Sequence, residues 1–108
     1  MNRASSEEED CPPPPEFEGA LSRAMKIVNR KGLHARATAK FVQCVDRYQA
    51  SIKVTRCGET VGGDSIMGIL TLGAGLGSTI VVHAFGAQAS EALEALGELV
   101  ANRFGEEE

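Results

Sequence analysis

The segment Arg30-Lys31-Gly32-Leu33-His34-Ala35-Arg36 sets one imidazole among three cationic side chains. Imidazole is a nucleophile near neutral pH, because its free pKa is about 6.5. Guanidinium and ammonium groups hold phosphate oxygens. The segment also lies where a loop turns into a helix, and a helix start adds free N–H groups and partial positive charge. These features together suit a histidine that takes and passes on a phosphoryl group, with Arg36 as the phosphate ligand. Arg30 and Lys31 are loop cations that can steer acidic partners.

A second candidate is Ser65, in Gly62-Gly63-Asp64-Ser65, where the chain breaks and restarts as a short helix. Ser is a good N-cap, and a phosphate added there would be favoured by the helix dipole. The remaining candidates read as bland. His83 falls on an outward strand position with Thr79 and Val81, a surface or sheet role. Cys11, Cys44 and Cys57 form an odd, widely spaced set without CxxC. Structural zinc and a disulfide framework are therefore not expected, and reduced cytoplasmic thiols are the simplest reading. Cys44 belongs to a buried helix stripe, and Cys57 lies in a turn.

Elements must position these groups. Leu21 to Val28 alternates loosely as a first strand. From Ala35 to Tyr48 the pattern is helical, with Ala37, Phe41, Cys44, Val45 and Tyr48 on a buried stripe and Arg36, Lys40, Gln43 and Arg47 opposite. Residues 51–56 and 59–61 read as strands joined at Cys57-Gly58. Ile66 to Leu72 is a short helix, stopped by Gly73, Gly75 and Gly77. Thr79 to Phe85 is a β-branched strand. Residues 88–103 form the last helix, with Ala92, Leu93, Leu96, Leu99 and Val100 inward and Arg103 in the last turn. Helices on one face of a small antiparallel sheet make a two-layer α+β domain.

Composition bounds the rest. The chain has 108 residues and is 43% hydrophobic, enough for one small packed domain. No apolar run is long enough to span a membrane, and the first twenty residues do not read as a secretory signal. The net charge of −4 misleads: residues 1–20 carry six acidic groups against Arg3, whereas residues 21–108 carry ten cations and nine anions. That body is too weakly basic for a nucleic-acid binder. Residues 1–20, with Glu7 to Asp10 and then Pro12 to Pro15, read as a disordered acidic, Pro-rich arm. Residues 105–108 read as an acidic tail.

With this order and loop in view, residues 21–104 resemble the HPr family, the histidine-containing phosphocarriers of the phosphoenolpyruvate-dependent phosphotransferase system. That family's signature, GLHxRP, stands here as Gly32-Leu33-His34-Ala35-Arg36-Ala37. Its phosphorylatable serine opening a short helix matches Gly63-Asp64-Ser65-Ile66-Met67-Gly68-Ile69-Leu70. The resemblance implies an open-faced sandwich, βαββαβα, with a four-stranded antiparallel sheet covered on one face by three helices. It implies that enzyme I phosphorylates His34 at Nδ1, that Arg36 helps hold the group, and that an enzyme IIA histidine receives it. Ser65 is then the regulatory serine, a substrate of HPr kinase/phosphorylase where that enzyme exists. Arg30, Lys31, Lys40, Arg47, Ile66, Met67, Ile69 and Leu70 become the partner-binding surface. A monomeric cytoplasmic protein without cofactor, metal, nucleic acid or membrane insertion is expected.

Ala37 stands where the family has Pro; Ala is an excellent helix former, so the fold loses little. This variant, with Ser65 in a GDSIMG context, looks more like the HPr-like proteins of proteobacteria that feed nitrogen-related and regulatory branches than like sugar-uptake carriers. The alternative is a regulatory binding module switched by phosphorylation. A metal or redox protein using His34, His83 and Cys57 is disfavoured, since no ligand spacing is present and cations surround His34.

Overall fold

The structure, a computed structural model, describes residues 11–108. The charge run Glu7 to Asp10 lies outside the described residues. In chain order the elements are β1 (Leu21–Lys26), α1 (Ala35–Val45), β2 (Ser51–Arg56), β3 (Glu59–Gly62), α2 (Ile66–Thr71), β4 (Thr79–Phe85) and α3 (Ala89–Ala101). A single 3-10 turn, Arg103–Gly105, follows. The sheet order is β1-β4-β2-β3, antiparallel throughout, with helices over one face. This is the expected two-layer α+β architecture.

Strand β4 is central because its β-branched residues suit a sheet that is covered on both sides. Its Ile80, Val82 and Ala84 alternate toward the helices and are fully buried. The register sets Met25 opposite Ile80 and Val54 opposite Val82, so the inward rows of three strands coincide. From the other layer, α1 buries Ala37, Thr38, Phe41, Cys44 and Val45, and α3 buries Ala92, Leu93, Leu96 and Val100. Helix α1 stops at Val45, one turn before Tyr48, which is only partly buried. Helix α3 likewise stops at Ala101, so Arg103 lies beyond its last turn rather than in it. No described helix is long and apolar enough to cross a membrane.

The outer face of the sheet departs from expectation at three points. Cys11 and Cys57 are joined as a disulfide across 46 residues of sequence, so they are not reduced thiols. Spacing could not reveal this pair, because folding the arm back onto the β2–β3 turn is what brings it together. His83 does sit on the outer face, yet it is fully buried. Phe17 packs edge-on against its ring at 4.8 Å, while Ser22 Oγ and Thr55 Oγ1 lie 2.8 Å and 3.0 Å from its two nitrogens. Burial, and then the charge of Lys53, lower the His83 pKa, so the ring is neutral at pH 7. Finally, residues 11–20 make specific sheet contacts that their composition does not announce.

Candidate functional site

The loop before α1 is fixed by its backbone. Leu33 is buried, and its N–H donates to the Ala74 carbonyl at 2.9 Å. Gly32 has φ +68, and a Cβ there would lie 2.6 Å from the Ala74 oxygen, so only glycine fits. The Thr38 hydroxyl donates to the Leu33 carbonyl at 3.1 Å. These contacts hold His34 as the N-cap of α1, with extended backbone (φ −77, ψ −177). Its Nδ1 accepts the Arg36 N–H at 3.3 Å. A cap normally uses a hydroxyl or carboxyl oxygen; here the cap is the candidate nucleophile itself.

The opposite nitrogen is also engaged. His34 Nε2 lies 2.5 Å from Glu106 Oε2. Glu106 in turn accepts from Asn29 Nδ2 at 3.0 Å through its other oxygen, and the same Asn29 nitrogen donates to the Gly32 carbonyl at 2.8 Å. The hydrogen bond from Asn29, and then that from His34, hold the Glu106 carboxyl below its ordinary pKa, with a smaller contribution from Lys31. An ionised Glu106 accepts only, so Nε2 must carry the proton. Nδ1 is then left with its lone pair, which matches its role as acceptor from Arg36.

Sequence reasoning missed Glu106 and Asn29. Glu106 reaches the site because the chain reverses sharply after α3. Arg103, Phe104 and Gly105 have φ of 58°, 55° and 80° in succession. Left-handed backbone costs about 1–2 kcal/mol per non-glycine residue. Full burial of Phe104 contributes roughly 1.5–3 kcal/mol. Lys40 adds a charge-assisted bond to the Phe104 carbonyl at 2.7 Å. Arg30 N–H donates to the Glu108 carbonyl at 2.8 Å, so the tail is pinned on both sides of Glu106. The Arg30–Glu108 side-chain pair at 2.7 Å is exposed and adds little. An apolar residue just past the helix, Phe104, was the available signal for this anchor.

Together Lys31, His34, Arg36 and Glu106 to Glu108 line an open cleft of about 460 Å³. Arg36 is exposed beside His34, and Arg30, Lys31 and Arg47 are exposed cations. Lys40 is committed to the tail. Ser65 caps α2 as expected, with Oγ accepting the Gly68 N–H at 3.0 Å. Of the expected apolar partner surface, Met67 is 71% and Ile66 42% exposed, and Leu70 is half-buried. Ile69 does not belong there: it is fully buried in the core, because a six-residue helix docked on the domain must turn one side chain inward. Leu76, 61% exposed in the following loop, is an exposed apolar residue the sequence reading did not single out.

Comparison with known proteins agrees with this geometry. The sequence model described as "PTS HPr component phosphorylation site" matches residues 21–102. The phosphocarrier protein HPr of Cupriavidus necator is 46% identical over 88 residues, covering 82% of this chain and 99% of that protein. That of Pseudomonas aeruginosa is 49% identical over 83 residues, covering 76% and 92%. Among solved structures, the phosphocarrier protein HPr of Bacillus anthracis superposes with a TM-score of 0.74 at 40% identity, covering 77% of this chain and 99% of that one. HPr of Thermoanaerobacter tengcongensis superposes with a TM-score of 0.78 at 38% identity, covering 82% and 99%. Motif, element order, sheet topology and cap geometry therefore agree, and this chain belongs to the HPr family of phosphotransferase-system phosphocarriers.

Proposed function

We propose that His34 Nδ1 accepts a phosphoryl group from the phosphohistidine of enzyme I and passes it to a histidine of an enzyme IIA protein. The observation that carries this reading is the orientation of one ring. Its Nδ1 faces the start of α1, and its Nε2 is tied to Glu106. In the forward step the Nδ1 lone pair attacks phosphorus, an N–P bond forms, and the N–P bond on enzyme I breaks. The Nε2 proton stays in place, so His34 becomes a charged imidazolium that the Glu106 carboxylate stabilises. Phosphoryl oxygens take up the Arg36 N–H and guanidinium. The reverse attack by an acceptor imidazole restores the resting ring. With the enzyme I and acceptor rings likewise protonated on the nitrogen that does not bear phosphorus, each departs or attacks as neutral imidazole and no net proton transfer is required.

Enzyme I and the acceptor would dock on the exposed cations Arg30, Lys31, Arg36 and Arg47, with Ile66, Met67 and Leu70 as apolar contacts. The protein would work in the cytoplasm, alongside its phosphoenolpyruvate-charged partner. The GDSIMG context and Ala37 favour a regulatory, nitrogen-related branch over sugar uptake. Ser65 would be the regulatory phosphosite, substrate of an HPr kinase/phosphorylase. Its phosphate oxygens could keep the Gly68 N–H capped while adding negative charge close to exposed Asp64.

The test is incubation with phosphoenolpyruvate, Mg²⁺ and a proteobacterial enzyme I, followed by intact mass. One acid-labile phosphate is expected, absent from His34→Ala. Folded protein left unlabelled by an active enzyme I would refute the carrier reading. Labelling at Ser65 alone by ATP and an HPr kinase/phosphorylase would then favour a regulatory binding module.

A further inference from the structure

Phosphoryl chemistry does not use the outer face of the sheet, where segment 11–20 lies. The segment is held at both ends. At one end it runs into β1 at Leu21; at the other Cys11 is bonded to Cys57, with Cα atoms 4.7 Å apart. Between them Pro12 packs over the β2–β3 turn: a Cβ on Gly58 would meet Pro12 Cγ at 3.3 Å. Pro12 and Pro14 then line a small cavity of about 140 Å³ with Thr55, Thr79 and Val81. Phe17 closes over His83, 6.1 Å from the Phe85 ring and beneath Lys53 Nζ at 5.8 Å. Consecutive prolines cannot supply a ladder of N–H groups, so Pro12 to Pro15 donate no backbone hydrogen bond to the sheet.

Cys57 itself is informative. It has φ 51 and precedes Gly58 at φ 88, the pair forming the turn between β2 and β3. Such turns favour Asn, Asp or Gly, which accept left-handed backbone readily. A cysteine there is strained and exposed, and so gains nothing from core packing. What it gains is the bond to Cys11. Cys11 is half-exposed and Cys57 exposed, so a small thiol can reach the bridge, whereas Cys44 is buried. The family match begins at residue 21, so Cys11 and the segment it fastens lie outside it.

We propose that Cys11 and Cys57 are a reversible redox site, whose disulfide clasps residues 11–20 across the outer face of the sheet and whose reduction by a dithiol frees them and uncovers His83. In the opening step a thiolate of the dithiol attacks one sulfur, and the S–S bond breaks to a mixed disulfide. The second thiol of the reductant displaces the remaining protein thiolate. Two electrons and two protons pass to the protein as two thiols, and the reductant leaves as its own disulfide. A disulfide oxidant reverses the sequence. Disulfides that occur in a reducing cytoplasm are mostly of this transient or sensing kind.

The experiment equilibrates the full chain in glutathione buffers and then with dithiothreitol, alkylates it under native conditions with iodoacetamide, and maps the adducts by mass. His83 ring proton resonances are followed in parallel. Oxidised protein is expected to show no adduct at Cys11 or Cys57, and His83 signals displaced by the Phe17 ring. Dithiothreitol should add one adduct at each cysteine and collapse that displacement. Cys11→Ser and Cys57→Ser should match the reduced spectrum, whereas Phe17→Ala should keep the disulfide and lose only the ring displacement. Phosphoryl uptake by His34 should change less than twofold throughout. Two alkylatable thiols at Cys11 and Cys57 in oxidised glutathione would overturn the proposal. So would a His83 spectrum unmoved by reduction.

Discussion

His34 and Ser65 open two helices and make the same local contact. Each side chain accepts a backbone N–H of the first turn, the imidazole at 3.3 Å and the hydroxyl at 3.0 Å. Their surroundings differ. His34 shares a cleft with Lys31 and Arg36, and its far nitrogen is held by a carboxylate anchored through buried Asn29. Ser65 has Asp64 before it and apolar Ile66 and Met67 after it. A capping position therefore offers a phosphoryl group a seat, but not a way on or off. In the proposed transfer, cations receive the charge and a fixed tautomer supplies the lone pair. Ser65 has no cation within two residues in the sequence and no second titratable nitrogen, so a phosphate there would depend on an external kinase.

The comparison can be broken from the His34 side first. Beyond loss of His34 itself, Arg36→Ala is expected to have the largest effect. One charge-assisted hydrogen bond contributes about 2 kcal/mol, which slows phosphoryl uptake about 30-fold. Stopped uptake assays with enzyme I should show this, with Arg36→Lys recovering part of the rate. A rate within twofold of the original chain would remove Arg36 from the phosphate site.

Glu106→Gln is expected to be milder, about fivefold, from a loss of roughly 1 kcal/mol. Nitrogen-15 shifts should show some His34 moving to the tautomer protonated at Nδ1, an effect a merely structural residue would not produce. The pH dependence has a definite sign. The folded Glu106 pKa is lowered, so its contribution to tail docking is complete above the ordinary carboxylate range. It is lost as pH falls through the depressed value. Acid titration should therefore release the tail in the original chain, and Glu106→Gln should lack that step.

Ser65→Ala sharpens the contrast with the smallest effect on transfer. Loss of the cap costs about 1 kcal/mol of stability, measured as a lower urea midpoint at unchanged slope. Uptake by His34 should stay within twofold. A large fall in uptake would mean that the two helix starts are coupled.

Half of this site was legible in the sequence because it is contiguous. Gly32 to Ala37 holds the turn, the candidate nucleophile and the proposed phosphate ligand within one short segment. The other half lies 72 residues away in a run of glutamates, which by composition is simply a solvated end. The fold was legible because β4 and the two long helices carry clear periods. Helix α2 is too short to carry one, which is why Ile69 passed for surface. Of the outer face only the outward direction of His83 was legible, not what covers it. His83 finds Ser22 and Thr55 on the neighbouring strands, but its Phe17 cover and the Cys11 partner of Cys57 arrive only when a proline-rich segment lies down on the sheet, and no local pattern encodes that.

The reversal at Arg103–Gly105 has a consequence for the order in which the molecule is made. A ribosome releases His34 early, with most of the domain still to come. Phe104 and Glu106 are among the last residues of the domain to emerge. A nascent or truncated chain can thus carry the whole signature and most of the sheet while its imidazole has no carboxylate partner. The pairing that fixes the His34 tautomer therefore waits on residues that follow α3, and their docking can be read out at the imidazole.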